Sequence, residues 1–321
     1  MQIKIRTYGQ NDLEPIVALH NQADRFDGTK DGTSVEETRE LFSMPGFDPE
    51  QNVFVVEEDG RVIGYATLRM FDSKAESRFR TRYQVHPKQR GRGIEEQLLT
   101  RLYTRAEERL ANCASPIVDF FSQANLIDRE RIAVLERFGL REARRFWQMV
   151  RSSLDDLPAV DLPSDIVTRP YRMEQDDESV NAAINESFRD HWGHTDNPLE
   201  QWRHFVSSPM FQPRLTVVAE NTHNRKIAGM CIILINDEEN ARLGVKCGWI
   251  EILGVLRPYR HRGLGAALLL AGLHNLRDAG MQQAVLATDS ENLTGATRLY
   301  ARVGFAVAKT RVVYRKRMRG E

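Results

Sequence analysis

The chain carries one pattern of segments twice, and this repetition constrains its fold more than any other feature. Each copy begins with a short strand-like segment, continues with two apolar segments around a polar turn, and then has a basic turn that contains glycine before a helix-like stretch. Gly64 and Gly229 are separated by 165 positions, as are Gly139 and Gly304. An offset that holds from the middle of each copy to its end indicates a duplicated domain rather than a solenoid.

The duplication predicts two domains of ordinary size within the 321 residues. We place an N-terminal domain at 1–151, a linker at 152–165 and a C-terminal domain at 166–321. The linker segment contains two prolines among acidic and hydroxylic residues, a composition typical of a connection. Strand-like and helix-like segments follow one another in both copies, which predicts the α/β class with a mixed sheet.

Composition and charge exclude several classes of protein. Lysine plus arginine and aspartate plus glutamate each number 45, so the net charge of zero gives no overall attraction to nucleic acid or to an anionic membrane. No stretch reaches the ~18 apolar residues of a membrane helix, and the start lacks the apolar core of a signal peptide. The three cysteines show no metal-ligand spacing. We expect a cytoplasmic protein without metal, in which the basic segments 141–145 and 311–319 are solvated strand edges.

A basic turn at 260–265, Arg-His-Arg-Gly-Leu-Gly, precedes an amphipathic helical pattern in the second copy. A helix N-terminus presents unpaired backbone N–H groups and the positive end of its dipole. Glycines at 263 and 265 would let an anion approach that backbone closely. The turn therefore indicates a phosphate or diphosphate site, although a tight turn without a ligand would use the same residues. The positions expected to face the core are Leu264, Leu268, Leu269, Gly272, Leu273 and Leu276.

Two motifs in order make the second copy resemble the GNAT superfamily of N-acetyltransferases. The first is Arg-x-x-Gly-x-Gly at 260–265, and the second is an asparagine followed by Ala-x-x-Leu-Tyr-x-x-x-Gly-Phe, within 292–305. The resemblance covers essentially all of 166–321. It implies two tandem GNAT-like domains, each a twisted mixed sheet flanked by helices. It also implies an acetyl-CoA site between the strand that ends at Val255 and its neighbour at 284–288.

The resemblance further implies roles for individual residues. Amides of about 261–266 would hold the pyrophosphate, and backbone N–H groups near Leu253 to Val255 would bind the thioester carbonyl and stabilise its oxyanion. Tyr300 would protonate the departing thiolate, although a tyrosine at this position also fits a core aromatic role. The complete set implied to bind the cofactor is Leu253, Gly254, Val255, Arg260, His261, Arg262, Gly263, Leu264, Gly265, Ala266, Asn292 and Thr297.

The general base is less defined by the sequence. If strand alternation holds, Glu251 shares a face with Trp249, Leu253 and Val255 and could take a proton from an ammonium acceptor; a solvated or ion-paired carboxylate is the alternative. The polar and aromatic segment 188–196 corresponds to the region where this fold usually meets its acceptor. Its candidate acceptor-binding residues, either histidine being an alternative base, are His191, Trp192 and His194.

The first copy departs from the motifs at two positions. Glu95 stands where the pattern has glycine or alanine, and its carboxylate would repel a pyrophosphate. Leu135 stands where the second copy has Tyr300. We predict that the first copy is degenerate, with residual CoA binding still open because Arg90, Arg92 and Gly93 offer an anion site.

The predicted function is acetyl transfer from acetyl-CoA to a primary amine of a small molecule or peptide, by a monomer or homodimer. The tandem layout also resembles the mycothiol synthases of the same superfamily, which acetylate a cysteinyl amine on an inositol-linked sugar. Six residues before Val255, where the pattern of that subfamily has a glutamate, this chain has Trp249. A protein that binds acyl-CoA without catalysis, as a sensor, is the alternative from another class.

Overall fold

The computed structural model describes residues 3–73, 76–292 and 295–320, and the chain divides into two compact units. Unit 1 comprises residues 1–145 with 311–321, and unit 2 comprises residues 146–310. These bounds differ from the repeat bounds because the last strand of each sequence copy belongs to the other unit's sheet. The segment 152–165, predicted as a linker, has no helix or strand, and its Leu154 is buried in the core of unit 2.

Unit 1 is a mixed sheet with helices on both faces. Its strands, in chain order, are β1 (Ile3–Thr7), β2 (Val53–Glu58), β3 (Arg61–Phe71), β4 (Ser77–Val85), β5 (Val118–Asn125) and the end of β12 (Ala306–Arg319). They lie side by side in that same order, and all neighbours are antiparallel except the parallel pair β4 and β5. The helices are α1 (Leu13–Asp27), α2 (Val35–Phe42), α3 (Pro49–Asn52), α4 (Ile94–Arg109) and α5 (Arg129–Arg137).

The alternation of side chains along β2 gives unit 1 two hydrophobic cores, one on each face of the sheet. Val53 and Val55 pack with α1 and α2, and Phe54 and Val56 pack in a larger cluster with α4. A strand that is covered on both faces is apolar at successive positions. The run Val-Phe-Val-Val of β2 therefore lacks the alternation of apolar and polar residues that predicts a half-buried strand.

Unit 2 repeats this architecture. Its strands are β7 (Ile166–Pro170), β8 (Val217–Asn221), β9 (Ile227–Ile235), β10 (Cys247–Val255), β11 (Gln283–Asp289) and the end of β6 (Arg141–Arg151). They lie in that order, antiparallel except for the parallel pair β10 and β11. Its helices are α6 (Asp177–Phe188), α7 (Leu199–Val206), α8 (Asp237–Leu243), α9 (Leu264–Asp278) and α10 (Ala296–Arg302). The predicted α/β class, with two GNAT-like mixed sheets, is confirmed.

Helix α9 covers one face of the unit 2 sheet and fixes the position of the basic turn that precedes it. The apolar face predicted from the sequence is confirmed, since all five of its predicted leucines and Gly272 are buried. A Cβ built on Gly272 would lie 2.7 Å from the Sγ of Cys231 on β9. This position has to be glycine because the helix lies directly against the strand.

Both units contain the same network of ion pairs. The arginine on the first strand of each unit bridges the carboxylate before the first long helix and a glutamate on the second strand, at N···O distances of 2.6–2.9 Å. The residues are Arg6, Asp12 and Glu57 in unit 1, and Arg169, Asp176 and Glu220 in unit 2. These partly buried networks fix the first strand to the helix in the same way twice.

The basic tail is not a solvated strand edge as predicted. Residues 311–319 pair with β5, and Arg317 donates to Asp119, which is fully buried, at 2.5 Å. Arg319 donates to the carbonyl of Leu110 at 2.9 Å. The tail cations therefore satisfy buried acceptors of unit 1. Within the described part of the chain, no helix is both long enough and apolar enough to span a bilayer.

Candidate active site in unit 2

The two parallel strands of unit 2 part before they end. β10 and β11 are paired only from Cys247–Gln283 to Ile250–Leu286, although β10 continues to Val255 and β11 to Asp289. The N–H of Leu256 donates to Ala228 of β9 at 2.9 Å. Because N–H directions alternate along a strand, those of Leu253 and Val255 point away from β9 into the gap. The parted strands thus offer unpaired backbone donors along an open cleft.

A row of free amides lies at the mouth of this cleft, at the start of α9. Among the described residues, the backbone N–H groups of the five residues from His261 to Gly265 have no hydrogen-bond acceptor. The next amide, that of Ala266, donates to the Gly263 carbonyl at 3.0 Å. We call residues 261–265 the α9 cradle. Consecutive free N–H groups at a helix start form an anion site, because the dipole and the donors act together.

The backbone of the α9 cradle takes the conformation that such a site needs. His261 and Gly263 both have positive φ, 60° and 82°. For His261 this region is unfavourable, so the surrounding turn imposes the conformation. A Cβ built on Gly265 would lie 3.7 Å from Leu299 and from Val255, which is ordinary contact. The cradle is open to solvent at His261, Arg262 and Gly263.

The two arginines of the turn form contacts within unit 2 that the sequence did not predict. Arg260 donates to the Val255 carbonyl at 3.0 Å and to the Ser187 carbonyl at 2.9 Å, which ties the end of β10 to the end of α6. Arg262 pairs with Asp165 at 2.5 Å. Arg260 still contributes positive charge because carbonyls do not neutralise it, whereas the charge of Arg262 is compensated.

Glu251 is the extra residue of a β-bulge. On β10 the residues Ile250 and Ile252 pair with the neighbours Ile233 and Ile232 of β9, so Glu251 has no partner in the ladder. The expectation that Glu251, Trp249, Leu253 and Val255 share a face is therefore wrong. Leu253 and Val255 pack on the α9 face with Ile250 instead.

The bulge leaves the Glu251 carboxylate in an open recess. Its surface is exposed, and no described residue forms an ion pair or hydrogen bond with it. Protein surrounds the recess closely enough that desolvation raises the pKa of the carboxyl above its ordinary value. A carboxylate without a partner and with a raised pKa has the properties of a general base.

Tyr300 lies in the same apolar cluster as Leu253 and Val255. It is 8% exposed, its ring meets Phe305 edge-on at 6.2 Å, and its hydroxyl has no partner among the described residues. Burial raises the pKa of the phenol, which keeps its proton available throughout the neutral range. The structure thus brings Tyr300 together with the parted end of β10.

The remaining predicted residues lie around the cleft. His191 follows α6 and stacks against Phe188 at 4.5 Å; burial lowers the pKa of its imidazole, as does the nearby Arg260, while Asp289 raises it. Trp192 contacts Phe146 at 6.2 Å, and His194 contacts Asp196 at 3.0 Å. Asn292 and Thr297 lie on either side of residues 293–294, which fall outside the described residues; Asn292 donates its N–H to Asp289, and Thr297 is on the first turn of α10.

Sequence reasoning missed the bulge, although the family resemblance implied a cleft between β10 and β11. The bulge depends on how β10 pairs with β9, and no local pattern signals it. The ion pair between Asp165 and Arg262 was likewise not predicted, because the two residues are far apart in the sequence. The described residues contain no group of three or more His, Cys, Asp or Glu that could hold a metal ion.

The corresponding region of unit 1 has a different set of side chains around its cavity. Glu95 is 7% exposed; burial raises the pKa of its carboxyl, and the nearby N–H groups of Gly91 and of Glu95 itself lower it. β4 has no bulge against β3, and Leu135 is fully buried at the position that corresponds to Tyr300. Unit 1 thus has a buried carboxylate at the position of Gly265 in unit 2.

Comparison with known proteins agrees with this architecture. The profile of the Acetyltransferase (GNAT) family matches residues 17–139 and 178–305. A mycothiol acetyltransferase of Thermobispora bispora is 29% identical over 306 residues, covering 95% of this chain and 96% of the relative. A mycothiol acetyltransferase of Kineococcus radiotolerans is 31% identical over 304 residues, covering 94% and 92%.

Solved structures give the same result. A GCN5-related N-acetyltransferase from Sphaerobacter thermophilus superposes with a TM-score of 0.78 at 26% identity, over 99% of this chain and 96% of that one. A tandem GNAT protein from the clavulanic acid biosynthesis pathway shares the fold, with a TM-score of 0.70 at 15% identity and 98% coverage of both chains. Because the family profile matches both copies, the chain belongs to the GNAT family and is an acetyltransferase.

Proposed function

We propose that unit 2 transfers the acetyl group of acetyl-CoA to a primary amine of a small molecule or peptide. The observation that carries the proposal is the α9 cradle, whose five successive amides have no acceptor among the described residues. Five donors at a helix start suit the diphosphate of CoA, and the side chains leave them accessible. From there, the parted end of β10 would direct an extended pantetheine arm toward Leu253 and Tyr300.

Acetyl-CoA supplies an activated acetyl group, and the chain would supply three groups around it. The N–H groups of Leu253 and Val255 would stabilise negative charge on a carbonyl oxygen placed in the gap. Glu251, ionised, would take a proton from the attacking ammonium. The free amine would then attack the thioester carbonyl. As the C–S bond breaks, the Tyr300 hydroxyl would give its proton to the sulfur, and the second proton that the nitrogen loses as the amide forms would restore the phenol.

The acceptor would enter beside the loop that follows α6. His191, Trp192 and His194 lie on this loop, and His191 is close enough to Arg260 and Asp289 for both to affect its pKa. A second candidate acceptor is the cysteinyl amine of a mycothiol precursor. The names of the relatives that are similar over nearly the full chain favour it. Trp249, which replaces the glutamate of that subfamily, donates to Glu239 at 3.3 Å.

We further propose that unit 1 has no part in the chemistry. The Glu95 carboxylate lies near the amides of Gly91 and Glu95, where its charge would repel a diphosphate. Leu135 has no proton to donate, and the bulge that carries Glu251 in unit 2 has no counterpart in β4.

An assay of thiol release from acetyl-CoA tests the function directly. Amino acids, polyamines, aminoglycosides, peptides and a cysteinyl amino sugar would be offered in turn. We expect release with at least one class of amine and its loss in Tyr300→Phe, with CoA affinity kept. Binding of CoA without release by any amine would instead favour a sensor.

A further inference from the structure

Three arginines lie side by side on one face of the unit 1 sheet. Arg69 of β3 is directly opposite Arg80 of β4, and Arg82 is two residues further along β4, opposite Thr67. Side chains that are opposite each other on antiparallel strands, and side chains two positions apart on one strand, share a face of the sheet. This is the face on which Tyr65 of β3 packs with α1 and α2. We call Arg69, Arg80 and Arg82 the arginine face.

Aromatic rings hold two of these guanidinium groups. The guanidinium of Arg69 lies 5.1 Å from the centroid of the Phe71 ring and 6.0 Å from that of Phe47. The guanidinium of Arg80 lies 4.6 Å from the same Phe71 ring, so the two cations are neighbours in space. Stacking on a ring uses the flat face of a guanidinium and leaves the N–H groups at its edge available to an acceptor.

The N–H groups of the arginine face have no acceptor among the described residues, and none of its three cations forms an ion pair there. Carboxylates of the same region are paired elsewhere. Glu76 pairs with Arg78 at 2.5 Å, and Asp119 is bound by Arg317 at 2.5 Å. Arg80 is exposed, but enough protein surrounds it that desolvation lowers the pKa of its guanidinium to about 10, and the charges of neighbouring arginines lower it further.

The second copy of the domain indicates that the fold does not need arginine at these positions. Strand pairing in unit 2 places Leu234, Trp249 and Ile252 at the positions of the arginine face. Leu234 and Ile252 pack there against an apolar cluster that includes residues of α6 and α7. Like charges directly opposite each other on two strands destabilise a sheet. Unit 1 therefore carries a pair of cations that lowers its stability unless an anion binds to them.

The chemistry of three guanidiniums favours a phosphate group over a carboxylate. The N–H groups of a guanidinium match the oxygens of either anion. A phosphate monoester carries a charge of about −1.5 to −2 at neutral pH and three acceptor oxygens, whereas a carboxylate carries a single charge and two oxygens. The arginine face spans only two strands of a chain with zero net charge, which favours a small ligand over a nucleic acid.

From the stacked guanidiniums, their N–H groups without an acceptor among the described residues and the apolar residues at the same positions of unit 2, we propose that the arginine face of unit 1 binds a small-molecule phosphate ester. The phosphate oxygens accept from Arg69 and Arg80, which Phe71 holds in place, and from Arg82. This site goes beyond the acetyl transfer proposed for unit 2 and does not depend on it.

Calorimetric titration of the full chain with three matched probes tests the proposal. The probes are glycerol 3-phosphate, glycerate and glycerol, which share a three-carbon chain and differ in charge. All titrations have the same ionic strength and contain saturating CoA, so that the α9 cradle does not compete for the anion. We expect glycerol 3-phosphate to bind at least roughly tenfold more tightly than glycerate, and glycerol not to bind.

Variants locate the binding. Arg80→Gln and Arg82→Gln each remove one exposed cation and should each weaken glycerol 3-phosphate by roughly tenfold. Arg61→Gln is the matched control and should leave the affinity unchanged. Arg61 is also exposed and has no ion pair among the described residues, but it lies at the opposite end of β3 from Arg69. Circular dichroism checks that each variant is folded.

Three results would overturn the proposal. The first is equal or absent binding of glycerol 3-phosphate and glycerate. The second is an affinity that Arg61→Gln lowers as much as Arg80→Gln does. The third is tighter binding of a short deoxythymidine oligonucleotide than of glycerol 3-phosphate, which would assign the arginine face to nucleic acid instead.

The outcomes also separate this site from the proposed function. Binding of glycerol 3-phosphate that depends on Arg80, without thiol release by any amine, would refute acetyl transfer alone. Thiol release without Arg80-dependent binding of glycerol 3-phosphate would refute the unit 1 site alone.

Discussion

Introducing into the α9 cradle the residue that unit 1 has at the corresponding position tests the proposal that only the α9 cradle binds a diphosphate. Gly265→Glu gives the α9 cradle the carboxylate that Glu95 supplies in unit 1. The first side-chain atom fits, since a Cβ at this position would lie 3.7 Å from Leu299 and Val255. We expect the new carboxylate to compete with the diphosphate for the amides of Gly265 and His261, since the Glu95 carboxylate lies near enough to those of Glu95 and Gly91 for both to affect its pKa.

The expected loss of CoA affinity is large. A diphosphate in the cradle would have the new negative charge about 4 Å away, which costs about 4 kcal/mol at the effective dielectric constant of a protein surface. Two of the five amide donors would also be lost to it, each worth about 1 kcal/mol or more. Because movement of the side chain relieves part of this cost, we expect CoA to bind roughly 100- to 1,000-fold more weakly.

Calorimetric titration with CoA measures this loss, and circular dichroism checks that the variant is folded. Gly265→Ala is the matched control: it adds a Cβ without charge and should stay within about tenfold of the wild type. The reasoning is refuted if Gly265→Glu binds CoA within about threefold of the wild type, or if Gly265→Ala loses as much affinity as Gly265→Glu.

Four further predictions follow from the structure. Tyr300→Phe should lower kcat for thiol release by roughly 10²- to 10⁴-fold without weakening CoA in titration, because the lost hydroxyl has no protein partner; equal loss of both would contradict its role. Since the pKa of Glu251 is raised, the kcat/KM of the wild type should fall as pH decreases through that raised value, and Glu251→Gln should lose this limb of the pH profile. The raised pKa also means that ionisation destabilises the fold as pH rises, so Glu251→Gln should raise Tm at neutral pH more than at acidic pH; the opposite order would contradict the shift. Gly229→Ala should lower the free energy of unfolding by about 1–3 kcal/mol in denaturant titration, since its Cβ would lie 2.7 Å from the Gly254 carbonyl, whereas Gly64→Ala, with 3.2 Å to Val56, should cost less.

Most of the fold could be predicted from the sequence because the pattern of segments in each copy could be compared with that in the other. The glycines at matching positions of the two copies and the leucine face of α9 could be recognised in the sequence, because these patterns do not depend on which strands pair. The exchange of the strands at 146–151 and 311–319 could not be predicted, since it depends on which sheet edge each strand meets. A strand has the same alternation of apolar and polar side chains whichever of the two sheets it joins.

The site was predicted unevenly for the same reason. The cradle follows from consecutive residues, so its glycines were visible in the sequence. The surroundings of Glu251 were not, because a single inserted residue in β10 reversed the facing of the residues after it. Glu95 was recognised as an obstacle to a diphosphate, but its burial at the start of α4 required coordinates.

A crystal structure of the chain grown with CoA tests the central claim most directly. The account predicts the diphosphate at the start of α9, with its oxygens about 2.7–3.2 Å from the amides of His261 to Gly265. It also predicts that no CoA binds at the start of α4, where the Glu95 carboxylate lies at the position that the diphosphate would need. A diphosphate bound at α4, or one bound away from both helices, would contradict the account.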